Sequence, residues 1–254
     1  MQHNPRKRFG QNFLIDRSVI AQIIAEIAPR REDRIVEIGP GLGALTHPLL
    51  QIVDHLHAVE IDRDIVERLQ AAFTPERLTI HATDALKFDF SSLGNQLRIV
   101  GNLPYNISTP LLFHLSQFSE HILDMHFMLQ KEVVDRMVGM PATSDYGRLS
   151  IMLQYRFDME HVFNVPATAF RPIPKVESAI VQMSPRSSAQ LTVKNDALFA
   201  EVVTAAFSQR RKTLRNTLQR YLTQEDFAML EIDSGLRAEN LSVERFVAIA
   251  NFLA

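Results

Sequence analysis

The sequence contains no cysteine, which excludes disulfide bonds and any zinc site with cysteine ligands. It also lacks an apolar run of about 18 residues, so no transmembrane helix is predicted. Residues 1–8 include three basic side chains and no apolar core of the kind found in a secretory signal peptide. Neither an internal repeat nor a low-complexity segment is evident along the 254 residues. These absences predict a soluble, globular, cytoplasmic protein.

The chain has little net charge, but its charges are unevenly distributed. The formal net charge is −2, which by itself argues against a nucleic-acid partner. Residues 1–31 nevertheless hold six Lys and Arg against two Asp and Glu, and residues 186–220 hold seven against two. The segment between them, 32–185, holds twelve against nineteen. The two basic segments are therefore either solvated surface or a phosphate-binding footprint built from both.

A glycine-rich turn follows the first predicted buried strand. Residues 34–39 are predicted to form that strand, 39–43 a tight turn, and 44–53 a helix. Three glycines within five residues permit positive φ angles and let a ligand lie against bare main chain. N–H groups at the start of the following helix would point at that ligand. The pattern predicts a nucleotide site, and it fits both a dinucleotide fingerprint and the turn of S-adenosylmethionine-dependent methyltransferases.

Polar residues occur at the ends of the next predicted strands. Strand 55–61 contains Glu60, which can accept both ribose hydroxyls of a nucleoside or, alternatively, cap a helix. Strand 78–82 precedes Asp84, which can accept a hydrogen bond from an adenine amino group or simply form a turn. Strand 97–101 delivers Asn102 to the same carboxyl edge, where open α/β sheets bind their ligands. Together with Glu37, two residues before the first glycine, these positions favour a methyl donor over a dinucleotide.

The Asn102-Leu103-Pro104-Tyr105 segment fits a specific chemistry. An exocyclic adenine amine is a weak nucleophile because its lone pair is delocalised into the ring. The Asn102 side-chain carbonyl and the Leu103 main-chain carbonyl can accept its two hydrogens and localise that lone pair. Pro104 fixes the turn, and Tyr105 offers a face for a base flipped out of its stack. The alternative interpretation is a β-turn with a packed tyrosine.

The order of the predicted elements indicates an α/β fold followed by a small helical domain. Strands are further predicted at 123–129, 162–165 and 176–183, with helices at 131–138 and 149–156. These elements predict a Rossmann-like domain, residues 1–184, whose mostly parallel central sheet has a terminal antiparallel strand. Residues 184–190 are the best linker candidate. Helices starting near 195, 213, 223 and 242, of which the second runs to about 221, predict a helical C-terminal domain, residues 185–254, that assists RNA binding.

These motifs resemble the KsgA/RsmA family of small-subunit ribosomal RNA adenine dimethyltransferases. The resemblance covers nearly the whole chain, and its matching stretches are RKRFGQNFL at 6–14, VEIGPGLG at 36–43, VEID at 59–62, GNLPYNIS at 101–108, FRPIPKV at 170–176 and FSQRRKTLRN at 207–216.

The resemblance implies a fold, a reaction and a set of site residues. Its implied S-adenosylmethionine contacts are Asn12, Leu14, Gly39, Glu60, Asp84 and Asn102, with Asn12 in a lid over the cofactor. It also implies that Tyr105 and Phe170 sandwich the target adenine, which adds to the amine site already assigned to Asn102, Leu103 and Pro104. The implied reaction places two methyl groups on each of two adjacent adenines near the 3′ end of 16S ribosomal RNA and yields S-adenosylhomocysteine.

The resemblance also suggests how the chain meets its RNA. The basic residues Arg6, Lys7, Arg8, Arg210, Arg211, Lys212 and Arg215 become candidate phosphate contacts that position the RNA without reading its sequence. The expected partner is 16S ribosomal RNA within a small-subunit assembly intermediate. We expect a monomer that needs no metal and no membrane.

Three rival functions remain open. A macrolide-resistance dimethyltransferase would modify large-subunit RNA with the same core, but the 6–14 and 207–216 segments favour the small-subunit enzyme. A non-catalytic ribosome-assembly or RNA-binding factor would not require an intact Asn102–Tyr105 segment. A dehydrogenase would leave that segment without a role.

Overall fold

The computed structural model describes residues 12–254, and its strands and helices lie in that range. The strands are β1 (Phe13–Leu14), β2 (Arg34–Ile38), β3 (Leu56–Glu60), β4 (Leu78–Ala82), β5 (Leu97–Asn102), β6 (Ile122–Gln130), β7 (Phe157–Val165), β8 (Phe170–Arg171) and β9 (Ser178–Pro185). The helices are α1 (Arg17–Ile27), α2 (Thr46–Leu50), α3 (Arg63–Ala72), α4 (Ser108–Leu115), α5 (Lys131–Val138), α6 (Arg148–Gln154), α7 (Asp196–Ala206), α8 (Leu214–Thr217), α9 (Gln224–Met229) and α10 (Val243–Leu253). None of the helices within 12–254 is long and apolar enough to cross a membrane.

The strands form a large sheet and a short two-stranded one. The large sheet has the order β4-β3-β2-β5-β6-β9-β7, and the short sheet pairs β1 with β8. Pairing is parallel from β4 to β6 and antiparallel between β6 and β9. This arrangement confirms the predicted Rossmann-like sheet with an antiparallel strand. The strand order reverses between β2 and β5, and ligands bind outside the carboxyl ends of the strands at such a point.

The central strands are buried because their sequences are nearly continuous apolar runs. In β2, Ile35, Val36 and Ile38 are each at most 2% exposed. A parallel strand covered by helices on both faces requires such a run rather than an alternating pattern. The predicted strands at 34–39, 55–61, 78–82, 97–101 and 123–129 are therefore all present, with ends shifted by at most one residue.

Two predicted helices are shorter in the structure. The helix predicted at 44–53 is the five-residue α2. Beyond it, the N–H groups of Gln51 and Ile52 bond to carbonyls three residues back, which is the tightened geometry common at a helix end. The helix predicted at 213–221 is α8, which ends where Leu218 adopts φ −104° and ψ 11°. Conversely, β7 begins five residues before the predicted strand at 162–165, because its first half alternates buried and polar side chains.

The described chain forms two compact units. The first comprises the described residues up to Val134 together with Glu160–Pro185, and the second comprises Asp135–Met159 and Arg186–Ala254. A single boundary after residue 184 would place 135–159 in the first domain, whereas these residues belong to the second unit. Two hydrogen bonds within that unit show why: the Tyr146 hydroxyl donates to the Leu241 carbonyl (2.9 Å), and the Ala142 N–H donates to the Glu239 carbonyl (2.8 Å).

A buried arginine ties the amino ends of the central strands to α1. The Arg98 guanidinium, on a residue only 9% exposed, donates to both carboxylate oxygens of Asp124 and to Asp33 at 2.6 Å. It also donates to the Ile27 carbonyl at 2.6 Å, at the end of α1. Burying a charge is favourable only with such full pairing. This cluster holds the edge of the sheet opposite its carboxyl ends.

Candidate functional site

A cavity of about 660 Å³ opens at the carboxyl edge of the sheet, within the first unit. Four groups of residues line it: the glycine turn at 37–45, the end of β3 at 59–61, the loop at 83–86 after β4, and the segment at 102–107 after β5. Residues 12–15 and Arg17, from β1 to the start of α1, also line it. The cavity therefore lies where the strand order predicts a ligand site.

The glycine turn presents main chain to this cavity. Gly39, Gly41 and Gly43 have φ angles of +66°, +54° and +87°, a region that residues with a side chain rarely adopt. A side-chain carbon added at Gly41 would lie 3.2 Å from the ring of Phe13 in β1, so β1 packs against the turn. The expectation that a helix starts at residue 44 is wrong, because α2 begins at Thr46 and the cavity is lined by the turn itself.

Glu60 ends β3 as a buried carboxylate at the cavity. Its Oε1 accepts hydrogen bonds from the N–H groups of Ile61 (2.9 Å) and Asp62 (2.8 Å), which fix its orientation. Burial raises the pKa of Glu60, and these N–H groups oppose that shift. The residue that caps α3 is Asp62 rather than Glu60, because the Asp62 carboxylate accepts a hydrogen bond from the Asp64 N–H at the start of this helix. Glu60 is thus available to a ligand in the cavity.

Asp84 combines both roles that its sequence position suggested. Its Oδ1 accepts a hydrogen bond from the Leu86 N–H at 3.0 Å, which is the turn-forming interaction. The same residue lines the cavity. A local turn therefore holds a carboxylate at the ligand site.

Asn102 is oriented by the segment that precedes α1. Its side-chain Nδ2 donates to the main-chain carbonyl of Asn12 at 3.1 Å. Because a main-chain carbonyl only accepts, the Asn102 Oδ1 remains the accepting end of the amide. The Leu103 N–H donates to the Met128 carbonyl in β6 (3.1 Å), which fixes the main chain immediately after Asn102. The two carbonyl groups of the predicted amine site therefore belong to neighbouring residues, each of which is held by a hydrogen bond.

Ser108 and Ser178 hold the turn at Pro104 and Tyr105. The hydroxyl of Ser108, only 1% exposed, donates towards the carbonyls of Pro104 (3.2 Å) and Tyr105 (3.1 Å). The Tyr105 hydroxyl shares a 2.9 Å hydrogen bond with Ser178, which is fully buried at the start of β9. Neither serine had a predicted role. Ser108 lies within the GNLPYNIS motif, whereas Ser178 is 73 residues from Tyr105 and has no local signal.

Phe170 does not join Tyr105 at the cavity surface. It is 1% exposed and pairs with Leu14 across the β1–β8 sheet, within the apolar core. Tyr105 is among the described residues that line the cavity, and Phe170 is not. The predicted aromatic pair is therefore not assembled around an open slot in this structure. An aromatic side chain in an apolar surrounding is more stable packed in the core than exposed to water.

A carboxylate pair that the sequence only hinted at lies beneath the glycine turn. Glu37 is 2% exposed, and its Oε2 accepts a 2.6 Å hydrogen bond from the buried hydroxyl of Thr46. Burial raises the pKa of Glu37 to about 7, and the charge of Glu60 adds to this shift. Position 37 is recognisable as an acidic residue before the turn, but its Thr46 partner was not predicted.

The expected RNA-contacting residues fall into two groups. Arg6, Lys7 and Arg8 lie outside the described residues. Those in the second unit are exposed, in the turn after α7 and in α8: Arg210, Arg211, Lys212 and Arg215. Arg210 lies 3.9 Å from the Glu239 carboxylate, at the limit of an ion pair. No group of His, Asp and Glu side chains within residues 12–254 is arranged to hold a metal ion.

The sequence is similar to a family of RNA-modifying enzymes. The sequence profile of the family "Ribosomal RNA adenine dimethylase" matches residues 2–254. A protein of Nitrosospira multiformis named "Ribosomal RNA small subunit methyltransferase A" is 65% identical over 252 residues, covering 99% of this chain and 97% of the relative.

Solved structures of similar fold include two methyltransferases. A dimethyladenosine transferase from Plasmodium falciparum superposes with a TM-score of 0.77 and 26% identity, covering 93% of this chain and 95% of that one. The 23S rRNA methyltransferase ErmE superposes with a TM-score of 0.73 at 24% identity, covering 95% and 99%. The second likeness shows the shared fold alone.

Proposed function

Because the chain belongs to the ribosomal RNA adenine dimethylase family, we propose that it dimethylates adenines of small-subunit (16S) ribosomal RNA at the cavity on the carboxyl edge of the sheet. The observation that carries this proposal is the pair of neighbouring carbonyl groups at Asn102 and Leu103, beside a glycine turn and two carboxylates. This arrangement combines acceptors for an amine with a binding site for a nucleoside-containing methyl donor.

The residues around the cavity fit S-adenosylmethionine. The main chain at Gly39 leaves room for the donor, because no side chain projects from the turn there. The Glu60 carboxylate is held at the cavity and suits the ribose hydroxyls, and Asp84 suits the adenine amino group. Asn12 and Leu14 would cover the donor from the β1 side. Bound S-adenosylmethionine supplies an electrophilic methyl group and leaves as S-adenosylhomocysteine.

The Asn102–Tyr105 segment would prepare the adenine amine for attack. The Asn102 Oδ1 and the Leu103 carbonyl accept the two amino hydrogens, which draws the nitrogen towards tetrahedral geometry and localises its lone pair. The nitrogen then forms a bond to the methyl carbon as the carbon–sulfur bond breaks. The amine now carries positive charge and releases a proton easily. Catalysis on this account is orientation and electrostatic stabilisation, with no strong base.

Tyr105 and Phe170 would hold the flipped adenine. The hydrogen bond between the Tyr105 hydroxyl and Ser178 keeps the tyrosine ring at the cavity wall, which supports its role as one stacking face. Phe170 would need to leave its buried position beside Leu14 to provide the second face. Base stacking on an aromatic side chain contributes about 1–3 kcal/mol in single-stranded recognition, enough to offset part of that rearrangement.

The degree of sequence identity to known proteins supports 16S ribosomal RNA, rather than large-subunit RNA, as the substrate. The relative at 65% identity carries a small-subunit name, whereas ErmE, with a 23S name, is 24% identical. We propose that the RNA is presented in an assembly intermediate to a cytoplasmic monomer. The residues we assign to its phosphates are Arg6, Lys7, Arg8, Arg210, Arg211, Lys212 and Arg215.

A transfer experiment with labelled S-adenosylmethionine tests this function. The protein is incubated with small or large ribosomal particles that lack the modification, and the label is mapped. We expect dimethyladenine in small-subunit RNA only. Label in large-subunit RNA would favour the resistance-type activity, and no label in either would favour a non-catalytic assembly factor.

A further inference from the structure

The segment that joins β8 to β9 exposes apolar side chains beside the proposed target-base site. Ile173 is 55% exposed and Val176 is 44% exposed, although most isoleucines and valines of this unit are buried. Pro172 and Pro174 restrict the backbone on either side of Ile173. The segment therefore holds an isoleucine in water on a stiff stretch of chain.

Both ends of this segment are attached to the cavity wall. At one end, Phe170 pairs with Leu14 of β1, and β1 lines the cavity. At the other end, Ser178 is hydrogen-bonded to the hydroxyl of Tyr105 (2.9 Å). The exposed isoleucine thus lies on a strap between the cofactor side and the base-binding side of the site.

The charges on the strap suit a nucleic acid. Arg171 and Lys175 are exposed on either side of Ile173, against a single acidic residue, Glu177, at the end of the segment. The Arg171 Nη1 donates to the main-chain carbonyl of Phe170 at 3.0 Å, which keeps the guanidinium close to the strap. Basic side chains around an apolar tip match phosphates around stacked bases. A protein partner that buried Ile173 would have to cover these two cations as well.

We propose that Ile173 is a wedge that enters the RNA base stack where the target adenine leaves it. Flipping a base removes its stacking interactions, and an apolar side chain inserted between bases can fill the gap that remains. Ile173 has the exposure for this role, and the strap that carries it is hydrogen-bonded through Ser178 to Tyr105, which receives the base. Arg171 and Lys175 hold the neighbouring phosphates. This inference rests on the proposed function, because it requires an adenine that leaves its stack.

The wedge is tested by comparing Ile173→Ser with Leu123→Ser. Leu123 is a matched control because it is 46% exposed in the same unit but at the amino end of β6, away from the cavity. Methyl transfer is measured under single-turnover conditions on unmethylated small-subunit particles, and particle binding is measured separately. We expect Ile173→Ser to slow transfer about tenfold while binding changes less than about threefold, because unstacking is not required for the encounter. Leu123→Ser should match the wild type in both.

Two further measurements separate a wedge from a general contact. Ile173→Leu should restore transfer to within about twofold of wild type, because an apolar side chain of similar size fills the same gap. In particles whose RNA carries an abasic nucleotide beside the target adenine, the Ile173→Ser defect should shrink to about twofold, because less stacking is lost on flipping. Wild-type transfer by Ile173→Ser, a loss confined to binding, or an undiminished defect beside the abasic nucleotide would each overturn the wedge. Absence of transfer by the wild-type protein would instead overturn the proposed function.

Discussion

At the residue scale, the ionisation of the Glu37 side chain is linked to folding. Glu37 is only 2% exposed, just before the glycine turn. Its Oε2 accepts a hydrogen bond from the Thr46 hydroxyl. Burial raises its pKa from 4.5 to about 7. A carboxyl group whose pKa is higher in the folded state stabilises the fold most below its unfolded pKa, and this contribution is lost as pH rises through the folded pKa.

We therefore predict that Glu37→Gln removes a pH dependence of stability between about pH 4.5 and pH 7. The free energy of unfolding of the wild type, relative to the variant, should fall across this interval and level off above it. Glutamine can still accept the Thr46 hydrogen bond, so the comparison isolates the charge. Urea denaturation at several pH values measures the difference. A difference that stays constant or rises with pH would contradict the burial argument.

The site residues that the sequence predicts are those with local signals. Glu60, Asp84 and Asn102 each lie at or just after the end of a recognisable strand, and parallel strands bring their carboxyl ends to one edge, so their meeting at the cavity was predictable. Ser178 lies 73 residues from Tyr105, and its hydrogen bond depends on the tertiary pairing of β9 with β6. Burial of Phe170 also depends on tertiary packing, which single-sequence patterns do not encode.

At the element scale, the close approach of β2 and β5 is the feature on which the site depends. Gly101 lies in β5, and a side-chain carbon there would be 2.6 Å from the Ile38 main-chain carbonyl oxygen. The next residue is Asn102, and Ile38 precedes the glycine turn. Any side chain at position 101 therefore pushes apart the two strands that hold the amine acceptors and the turn.

We predict that Gly101→Ala destabilises the protein by about 1–3 kcal/mol, as overpacking against backbone does. It should also impair methyl transfer at temperatures where the variant remains folded. Gly147→Ala is the matched control, since a side-chain carbon there meets no atom within 4 Å. Chemical denaturation and transfer assays on both variants measure the effects. Equal free energies of unfolding for the two variants would contradict the prediction, because β2 and β5 would then accommodate the added side chain without destabilisation.

Element ends were predictable only where a local rule sets them. The Asp16 carboxylate accepts hydrogen bonds from the Ser18 and Val19 N–H groups and so starts α1, and Thr223 and Asp226 form a capping pair at the start of α9. No capping rule of this kind marks the ends of α2 and β7. The helix predicted at 44–53 is five residues long, and the strand predicted at 162–165 begins at Phe157.

At the scale of the whole molecule, the charges are unevenly distributed along the chain, which the net charge alone does not show. Within the basic 186–220 segment, the stretch from Gln209 to Arg215 exposes four cationic side chains. Exposed Lys and Arg release counterions when they bind RNA phosphates, which makes affinity depend on salt. The division of the chain was less predictable, because residues 135–159 reach the second unit through contacts distant in sequence.

We predict that Arg211→Ala weakens binding to small-subunit RNA and lowers the slope of log affinity against log salt by about one unit or less. Arg68→Ala, an exposed arginine on α3 within the acidic middle of the chain, serves as the control and should leave the slope unchanged. Filter binding at a series of salt concentrations measures both slopes. An Arg211→Ala slope equal to that of the wild type would count against an RNA footprint in this segment.

The amine site at Asn102 is the central element of the mechanism, and one measurement tests it most directly. The methyl groups on small-subunit RNA are counted by mass spectrometry after incubation of unmethylated particles with wild-type, Asn102→Ala or Asn164→Ala protein. Asn164 is an exposed amide on β7 and serves as the control. We predict that Asn102→Ala lowers the rate of dimethyladenine formation by about 100-fold or more, as loss of a preorganised polar group does, while RNA binding survives. Turnover by Asn102→Ala within a few-fold of the wild type would contradict the account.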